Sequence, residues 1–155
     1  MGRKDMRPKN IITSLELDDD KMEANNHRFQ ATYREIEKNE VRCELIDTDD
    51  CDYLMVAFGS MARIAMKVME MAAAEGIKVG LVRPITLWPF PSKQIAEVAQ
   101  HVKGILVPEL AAGQMIEDVK LAVECKVPVE HFDRLGGNVP SPEEMFNALK
   151  DKLIK

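Results

Sequence analysis

The middle of the chain contains an uninterrupted apolar run, Tyr53-Leu54-Met55-Val56-Ala57-Phe58, followed directly by Gly59-Ser60. Such a run is typical of a strand that is covered on both faces, as in a parallel sheet. A helical pattern follows, and its inward positions are Ile64, Ala65, Val68, Met71 and Ala72, with Glu75-Gly76 as the stop signal. The region therefore predicts a strand, a tight turn and a helix, which is how a βαβ unit begins.

The same alternation continues to the C-terminus. Further strands are predicted at 78–83, 104–107 and 127–132, and helices are predicted from Pro91-Ser92, from Gln114 to Cys125 and from Ser141 onward. The last helix has the clearest start, because Ser141-Pro142-Glu143-Glu144 combines an N-cap serine, a proline at the first helical position and a capping-box glutamate. Alternating strands and helices predict an α/β fold with a mostly parallel sheet and helices on both faces.

The first 50 residues differ in composition from the rest. They hold nine Lys and Arg against thirteen Asp and Glu, so four of the chain's five net negative charges lie there. One amphipathic helix is predicted from Asp18 to Asn39, with a narrow apolar stripe that must cover something else. A short edge strand is predicted at 41–45, and the acidic Asp47-Thr48-Asp49-Asp50 marks the expected boundary. We therefore predict an arm at 1–50 and an α/β domain at 51–155.

Composition excludes several classes of protein. The chain has 155 residues, enough for one domain, with 46% hydrophobic and 30% charged residues, so we expect a folded soluble protein rather than a disordered one. The net charge of −5 argues against nucleic-acid binding, and no apolar run is long enough for a membrane span or signal peptide, so a cytoplasmic location is expected. Scattered cysteines (43, 51, 125) and histidines (27, 101, 131) predict no metal site.

Candidate sites follow from the rule that ligands of open α/β sheets bind at the carboxyl ends of the strands. There, Gly59-Ser60 is predicted to form a tight turn in which Ser60 caps the helix, and the alternative is an anion site. Gly136-Gly137 is a weaker anion-site candidate. Glu109 could serve as an acid, a base or an interface anchor, although no second carboxylate or histidine is near it in sequence. Gln114 is predicted to start a helix.

The most unusual segment is Arg83-Pro84-Ile85-Thr86-Leu87-Trp88-Pro89-Phe90-Pro91, which holds three prolines and the chain's one Trp. Proline restricts its own φ and the preceding residue, so the loop is predicted to be stiff and extended. We favour an interface role for Arg83, Pro84, Trp88, Pro89 and Phe90. The alternative is that Trp88 and Phe90 fold back onto the domain's own core.

These segments resemble one known family. Four segments are similar to the C-terminal domain of the alpha subunit of 2-oxoacid:ferredoxin oxidoreductases, most of all the 2-ketoisovalerate type. These segments are Gly76 to Pro91, Ala57 to Ala65, Glu109 with Gly113-Gln114-Met115, and Gly136-Gly137 with Pro140-Ser141-Pro142-Glu143. Residues 10–17 and the helix to Glu40 resemble the arm that enters this domain. Ala111 and Pro108 depart from the pattern, which places a common asparagine and a plain aliphatic residue there.

The resemblance implies a three-layer α/β/α, transketolase C-terminal-like domain that supports assembly and holds no catalytic residue. The implied enzyme of anaerobic metabolism converts a 2-oxoacid and coenzyme A to acyl-CoA and CO2 and reduces ferredoxin. It uses thiamine diphosphate, Mg2+ and iron–sulfur clusters, none of which this chain is expected to bind alone. The pyrimidine-binding domain that normally precedes this one is missing, so the chain is expected to be a piece of a subunit, inactive alone. Implied partners are the remaining alpha subunit, the thiamine-binding beta subunit, other subunits, indirectly ferredoxin, and a second copy in a homodimer.

Two alternatives remain open. The chain could be a stand-alone small-ligand or nucleotide-binding domain that uses Gly59-Ser60 and Gly136-Gly137. It could also be the C-terminal domain of another thiamine enzyme, such as a transketolase or a branched-chain dehydrogenase. The run Trp88-Pro89-Phe90-Pro91 disfavours this second alternative.

Overall fold

The structure is a computed structural model that describes residue 11 and residues 15–154. The chain divides into two compact units, one reaching to Ile36 and the other beginning at Glu37. In chain order the elements are α1 (Asp19–Asn39), β1 (Cys43–Ile46), β2 (Tyr53–Val56), α2 (Gly59–Ala74), β3 (Val79–Pro84), α3 (Ser92–Val98), β4 (Gly104–Glu109), α4 (Met115–Val123), β5 (Val129–Asp133) and α5 (Pro142–Leu153). The basic stretch at 1–10 and part of the resemblance at 10–17 lie outside the described residues.

Helix α1 confirms the helix predicted from Asp18 to Asn39. It has Asp19 and Asp20 in its first turn and Lys38 in its last, the charge placement that favours the helix dipole. None of its residues is buried, and two of its apolar-stripe side chains, Phe29 and Tyr33, are 42% and 44% exposed. The partner that would cover this stripe therefore stays a prediction.

A five-stranded sheet with the order β1-β3-β2-β4-β5 forms the centre of the second unit. Strands β2, β3, β4 and β5 are parallel, and β1 pairs antiparallel with β3 at the edge. The predicted edge strand and the mostly parallel sheet are both confirmed. The division into an arm at 1–50 and a domain at 51–155 stays a prediction, and β1, which lies before residue 51, hydrogen-bonds within the sheet.

The two faces of the sheet carry separate apolar clusters, which confirms the three-layer α/β/α fold. On one face Leu54, Val56 and Ile105 pack with residues of α3 and α4. On the other face Met55, Leu81 and Leu106 pack with residues of α2 and α5. Successive strand residues point to opposite faces, so an uninterrupted apolar run supplies both clusters at once.

The helix starts test two detailed predictions. Gly59 has a φ of +58° and makes the predicted tight turn before α2. The prediction that Ser60 caps α2 is wrong: the N-cap is Phe58 and no side chain caps this helix. Because the helix already begins at Gly59, Ser60 lies inside the first turn, past the capping position. The capping box of α5 is confirmed, with Ser141 and Glu144 exchanging hydrogen bonds of 3.2 and 2.9 Å.

None of the helices within the described residues combines the length and the apolar character that crossing a bilayer requires.

Candidate functional site

The carboxyl ends of the four parallel strands lie along one edge of the sheet, and each is followed by a loop. From β2 the chain crosses to β3 on one side, and from β3 it crosses back to β4 on the other side of β2. This reversal makes the gap between the ends of β2 and β4 the topological switch point, where ligands of open α/β sheets usually bind.

A cleft of about 230 Å³ opens at this point. Its walls come from the loops after β2, β3 and β4 and from the first turns of α4. The lining residues are Phe58, Leu87, Phe90, Glu109, Leu110, Ala111, Gln114, Met115 and Asp118. Of the predicted site residues, the fold therefore brings Phe90, Glu109 and Gln114 together in this cleft. Phe58 and Ala111, which were not predicted as site residues, also line it.

Glu109 caps helix α4 from the end of β4. Its side chain is only 4% exposed, and its carboxylate accepts hydrogen bonds from the backbone N–H groups of Gln114 (3.0 Å), Met115 (2.9 Å) and Ile116 (3.0 Å). The first N–H groups of a helix lack partners within the helix and favour negative charge, so this cap stabilises a buried carboxylate. Gln114 is the helix-start residue, as predicted, but its own side chain makes no cap.

His131 is the neighbour of Glu109 that sequence reasoning missed. Its Nε2 lies 3.5 Å from Oε1 of Glu109, and the His131 side chain is 24% exposed. Strands β4 and β5 are adjacent and in register, with Val107 opposite His131 and Glu109 opposite Asp133. The sequence did contain a signal for this neighbour, because the histidine lies in the predicted strand that follows β4. Strands that are consecutive in the chain usually lie side by side in the sheet.

The two aromatic residues of the proline–tryptophan loop after β3 differ in their exposure to solvent. Trp88 is 55% exposed, whereas Phe90 packs against the cluster under α3 and α4. Thr86 secures the loop, because its hydroxyl donates to the carbonyl of Pro89 (2.9 Å) and accepts from the backbone N–H of Arg42 (3.0 Å). Phe90 therefore packs back onto the domain's own core, as the alternative prediction held for both residues, whereas Trp88 does not.

The other predicted site residues lie outside the cleft lining. Arg83 pairs with Glu44 at 2.6 Å across β1 and β3, and Pro84 and Pro89 are buried. Gly59, Ser60, Gly136 and Gly137 are exposed. Gly59 and the glycine pair therefore line different loops and do not form one cradle around the cleft.

Exposed apolar side chains concentrate at this edge. Among the described residues from Glu37 onward, ten large hydrophobic residues are exposed, and seven of them lie in the four carboxyl-end loops. These seven are Phe58, Ile85, Leu87, Trp88, Leu110, Leu135 and Val139. Apolar exposure on this scale at one edge marks an interaction surface more often than it marks a solvent-facing one.

A wider groove of about 890 Å³ lies away from this edge, between the loop 47–50 and the end of α2. Asp50 on its rim pairs with Lys78 at 2.5 Å. Although the groove is larger, it borders the amino end of β3 and the loop that leads into β2, where ligand sites of this architecture are not expected. We therefore take the cleft at the switch point as the candidate site.

Metal ligands are not assembled in the described part of the chain: no three His, Cys, Asp or Glu side chains there are arranged to hold an ion. Cys43 is half-buried on β1, Cys51 is buried, and Cys125 is exposed after α4. Burial raises the pKa of the Cys51 thiol, which opposes the thiolate that metal binding requires.

Comparison with known sequences gives consistent matches. The family described as pyruvate:ferredoxin oxidoreductase core domain II matches residues 51–145. Ketoisovalerate oxidoreductase subunit VorB of Methanothermobacter thermautotrophicus is 43% identical over 92% of this chain. 2-Oxoglutarate synthase subunit KorA of Methanothermobacter marburgensis is 32% identical over 66% of this chain. The chain spans 40% of the length of that VorB protein and 27% of that KorA protein.

Solved structures share the fold. The 2-oxoglutarate:ferredoxin oxidoreductase from Magnetococcus marinus superimposes with a TM-score of 0.75 at 20% identity, over 88% of this chain and 24% of that one. A split gene transketolase superimposes with a TM-score of 0.63 at 20% identity, over 73% of this chain and 41% of that one. Both agree with the transketolase C-terminal-like architecture.

Proposed function

Because this chain belongs to the pyruvate:ferredoxin oxidoreductase core domain II family, we propose that it is an assembly domain of the alpha subunit of a 2-oxoacid:ferredoxin oxidoreductase of the ketoisovalerate type. The complex would convert a 2-oxoacid and coenzyme A to acyl-CoA and CO2 while reducing ferredoxin. The higher identity to ketoisovalerate oxidoreductase subunits (43% and 41%) than to 2-oxoglutarate synthase subunits (32% and 28%) supports the choice of substrate type.

The observation that carries the assembly role is the apolar surface on the carboxyl-end loops, where Trp88 is 55% exposed on the proline-rich loop after β3. A tryptophan held at the surface by a hydrogen-bonded, proline-rich loop loses little conformational freedom on binding, which is why such residues act as interface anchors. The proposed interface and the residues adjacent to it are those predicted from sequence: Gly59, Ser60, Arg83, Pro84, Trp88, Pro89, Phe90, Glu109, Gln114, Gly136 and Gly137.

The residues present do not fit the cofactors of the proposed complex. An iron–sulfur cluster needs four cysteine ligands, and this chain has three, which lie on β1, before β2 and after α4. The described residues also lack a grouped carboxylate set for Mg2+ at a diphosphate. The proposal places cofactor binding outside these 155 residues, and it assigns them no catalytic step.

The proposed partners are the remaining part of the alpha subunit, a thiamine-binding beta subunit and further subunits, with a homodimer and indirect contact to ferredoxin as parts of the same proposal. A cytoplasmic, anaerobic setting and the division into an arm (1–50) and a domain (51–155) also belong to it.

Reconstitution tests the proposal. The chain alone should not decarboxylate 2-ketoisovalerate when thiamine diphosphate, Mg2+ and coenzyme A are supplied. Mixed with the remaining polypeptides of the oxidoreductase, it should co-elute with them in gel filtration, and Trp88→Ala should reduce that association. Decarboxylation by the purified chain, or unchanged association of Trp88→Ala, would contradict the proposal.

A further inference from the structure

We infer that the cleft at the switch point receives one large apolar side chain, flanked by a basic residue, from another polypeptide of the oxidoreductase. The inference rests on the proposed function and specifies what the proposed interface recognises.

Size is the first argument. The cleft measures about 230 Å³, whereas pockets for small molecules and cofactors usually enclose roughly 300–1,000 Å³. A space of this size suits a single leucine, methionine or phenylalanine side chain. Interface hot spots commonly have this form, with one anchor side chain buried in a pocket of the partner.

Apolar character is the second argument. Phe58, Leu87 and Leu110 contribute to the walls and are also exposed, so the mouth of the cleft exposes hydrocarbon to water. Phe90 and Met115 line it from the core side. Covering this mouth removes apolar surface from water, which is favourable at roughly 25 cal/mol per Å².

Charge is the third argument, and it disfavours phosphate-bearing ligands. None of the nine lining residues is Lys, Arg or His, and two of them, Glu109 and Asp118, are carboxylic acids. The N–H groups at the start of α4 could otherwise hold a phosphate, but Glu109 already occupies three of them. Coenzyme A, thiamine diphosphate and nucleotides would therefore meet negative charge without a compensating positive side chain.

The same charge favours a basic neighbour of the anchor. Asp118 is exposed at the cleft wall, so a Lys or Arg beside the incoming apolar residue would find a complementary partner. The acidic first turn of α4, which contains Glu117 and Asp118, extends this negative rim.

The test is a substitution that fills the cleft with a large side chain of this chain's own. Ala111 lines it, and Ala112 lies in the same loop but is exposed and does not line it. Ala111→Phe should weaken association with the rest of the oxidoreductase roughly tenfold or more, whereas Ala112→Phe, which adds the same side chain outside the cleft, should weaken it far less. Trp88 is the chain's one tryptophan, so its fluorescence reports binding at this edge directly.

A charge variant keeps the test decisive if Ala111→Phe fails to fold. Asp118→Lys should weaken association severalfold at low salt, and the effect should shrink as ionic strength rises, because rim charges act mainly through screened long-range attraction. Asp151→Lys is the matched control, since Asp151 is an exposed acid on α5 that neither lines the cleft nor belongs to its rim.

The outcomes separate the two proposals. If Trp88→Ala impairs association but Ala111→Phe and Asp118→Lys do not, the interface stands and the anchor pocket is wrong. If none of the three impairs association, the proposed function itself fails. If millimolar coenzyme A or thiamine diphosphate changes Trp88 fluorescence in the wild-type chain and not in Ala111→Phe, the cleft is a cofactor site and the inference is overturned.

Discussion

The imidazole Nε2 of His131 lies 3.5 Å from Oε1 of Glu109, on adjacent parallel strands. The same Glu109 carboxylate accepts from the N–H group of the N-cap residue Gln114 and from the first two N–H groups of α4, so β4, β5 and α4 meet at one buried acid. The wall of the candidate cleft is therefore held by hydrogen bonds that join the end of β4 to the start of α4.

Glu109→Gln should lower the free energy of unfolding by about 1–3 kcal/mol, because the amide keeps the shape but loses the charge and one acceptor facing three donors. Denaturant unfolding followed by circular dichroism measures this change. Gln114→Ala is the control and should stay within about 0.5 kcal/mol, since the Gln114 side chain makes no cap. Equal stability of Glu109→Gln and the wild type would show that the cap contributes nothing.

Trp88→Ala should change the free energy of unfolding by less than about 1 kcal/mol, because the side chain is 55% exposed. Phe90→Ala, two residues away, should cost about 2 kcal/mol or more, since Phe90 packs on the core. Thermal melts of the two variants side by side make the comparison. A Trp88→Ala variant as unstable as Phe90→Ala would mean that Trp88 serves the fold and not an interface.

Thr86→Val should lower stability by about 1 kcal/mol, because it leaves the carbonyl of Pro89 and the N–H of Arg42 without their hydroxyl partner. It should also weaken association through the loop that carries Trp88. Thr86→Ser retains the hydroxyl and should behave as the wild type in both assays. A Thr86→Ser variant as impaired as Thr86→Val would assign the effect to the lost methyl group instead.

Acid should destabilise α5 through Glu144. The N–H of Ser141 and the guanidinium of Arg134 both lower the pKa of this carboxyl below its ordinary value. A lowered pKa in the folded state adds stability that is complete above the unfolded pKa of about 4.3 and is lost as the pH falls through the lower, folded value. Glu144→Gln should therefore reduce the loss in free energy of unfolding that the wild type shows as the pH falls. Glu117→Gln, which lies outside the capping box, should keep a pH dependence close to that of the wild type.

The sequence determined the order of the elements and the class of the fold. Runs such as Tyr53–Phe58 and the helical spacing of Ala65, Val68 and Ala72 are local patterns whose period matches a strand or a helix. The capping box at Ser141 is equally local, because its two partners are three residues apart. Family membership was readable for the same reason: it rests on contiguous motifs such as Trp88-Pro89-Phe90-Pro91.

Tertiary structure alone decided how those motifs are used. Glu109 and His131 belong to different strands, and only the sheet register brings them within 3.5 Å. Trp88 and Phe90 have similar apolar character and neighbouring positions, yet Phe90 is half-buried against the core and Trp88 is exposed. Ser60 was expected to cap α2, but the N-cap is Phe58, two residues earlier. Local periodicity follows from backbone geometry within a few residues, whereas burial, capping by Glu109 and the shape of the cleft depend on contacts between segments far apart in the chain.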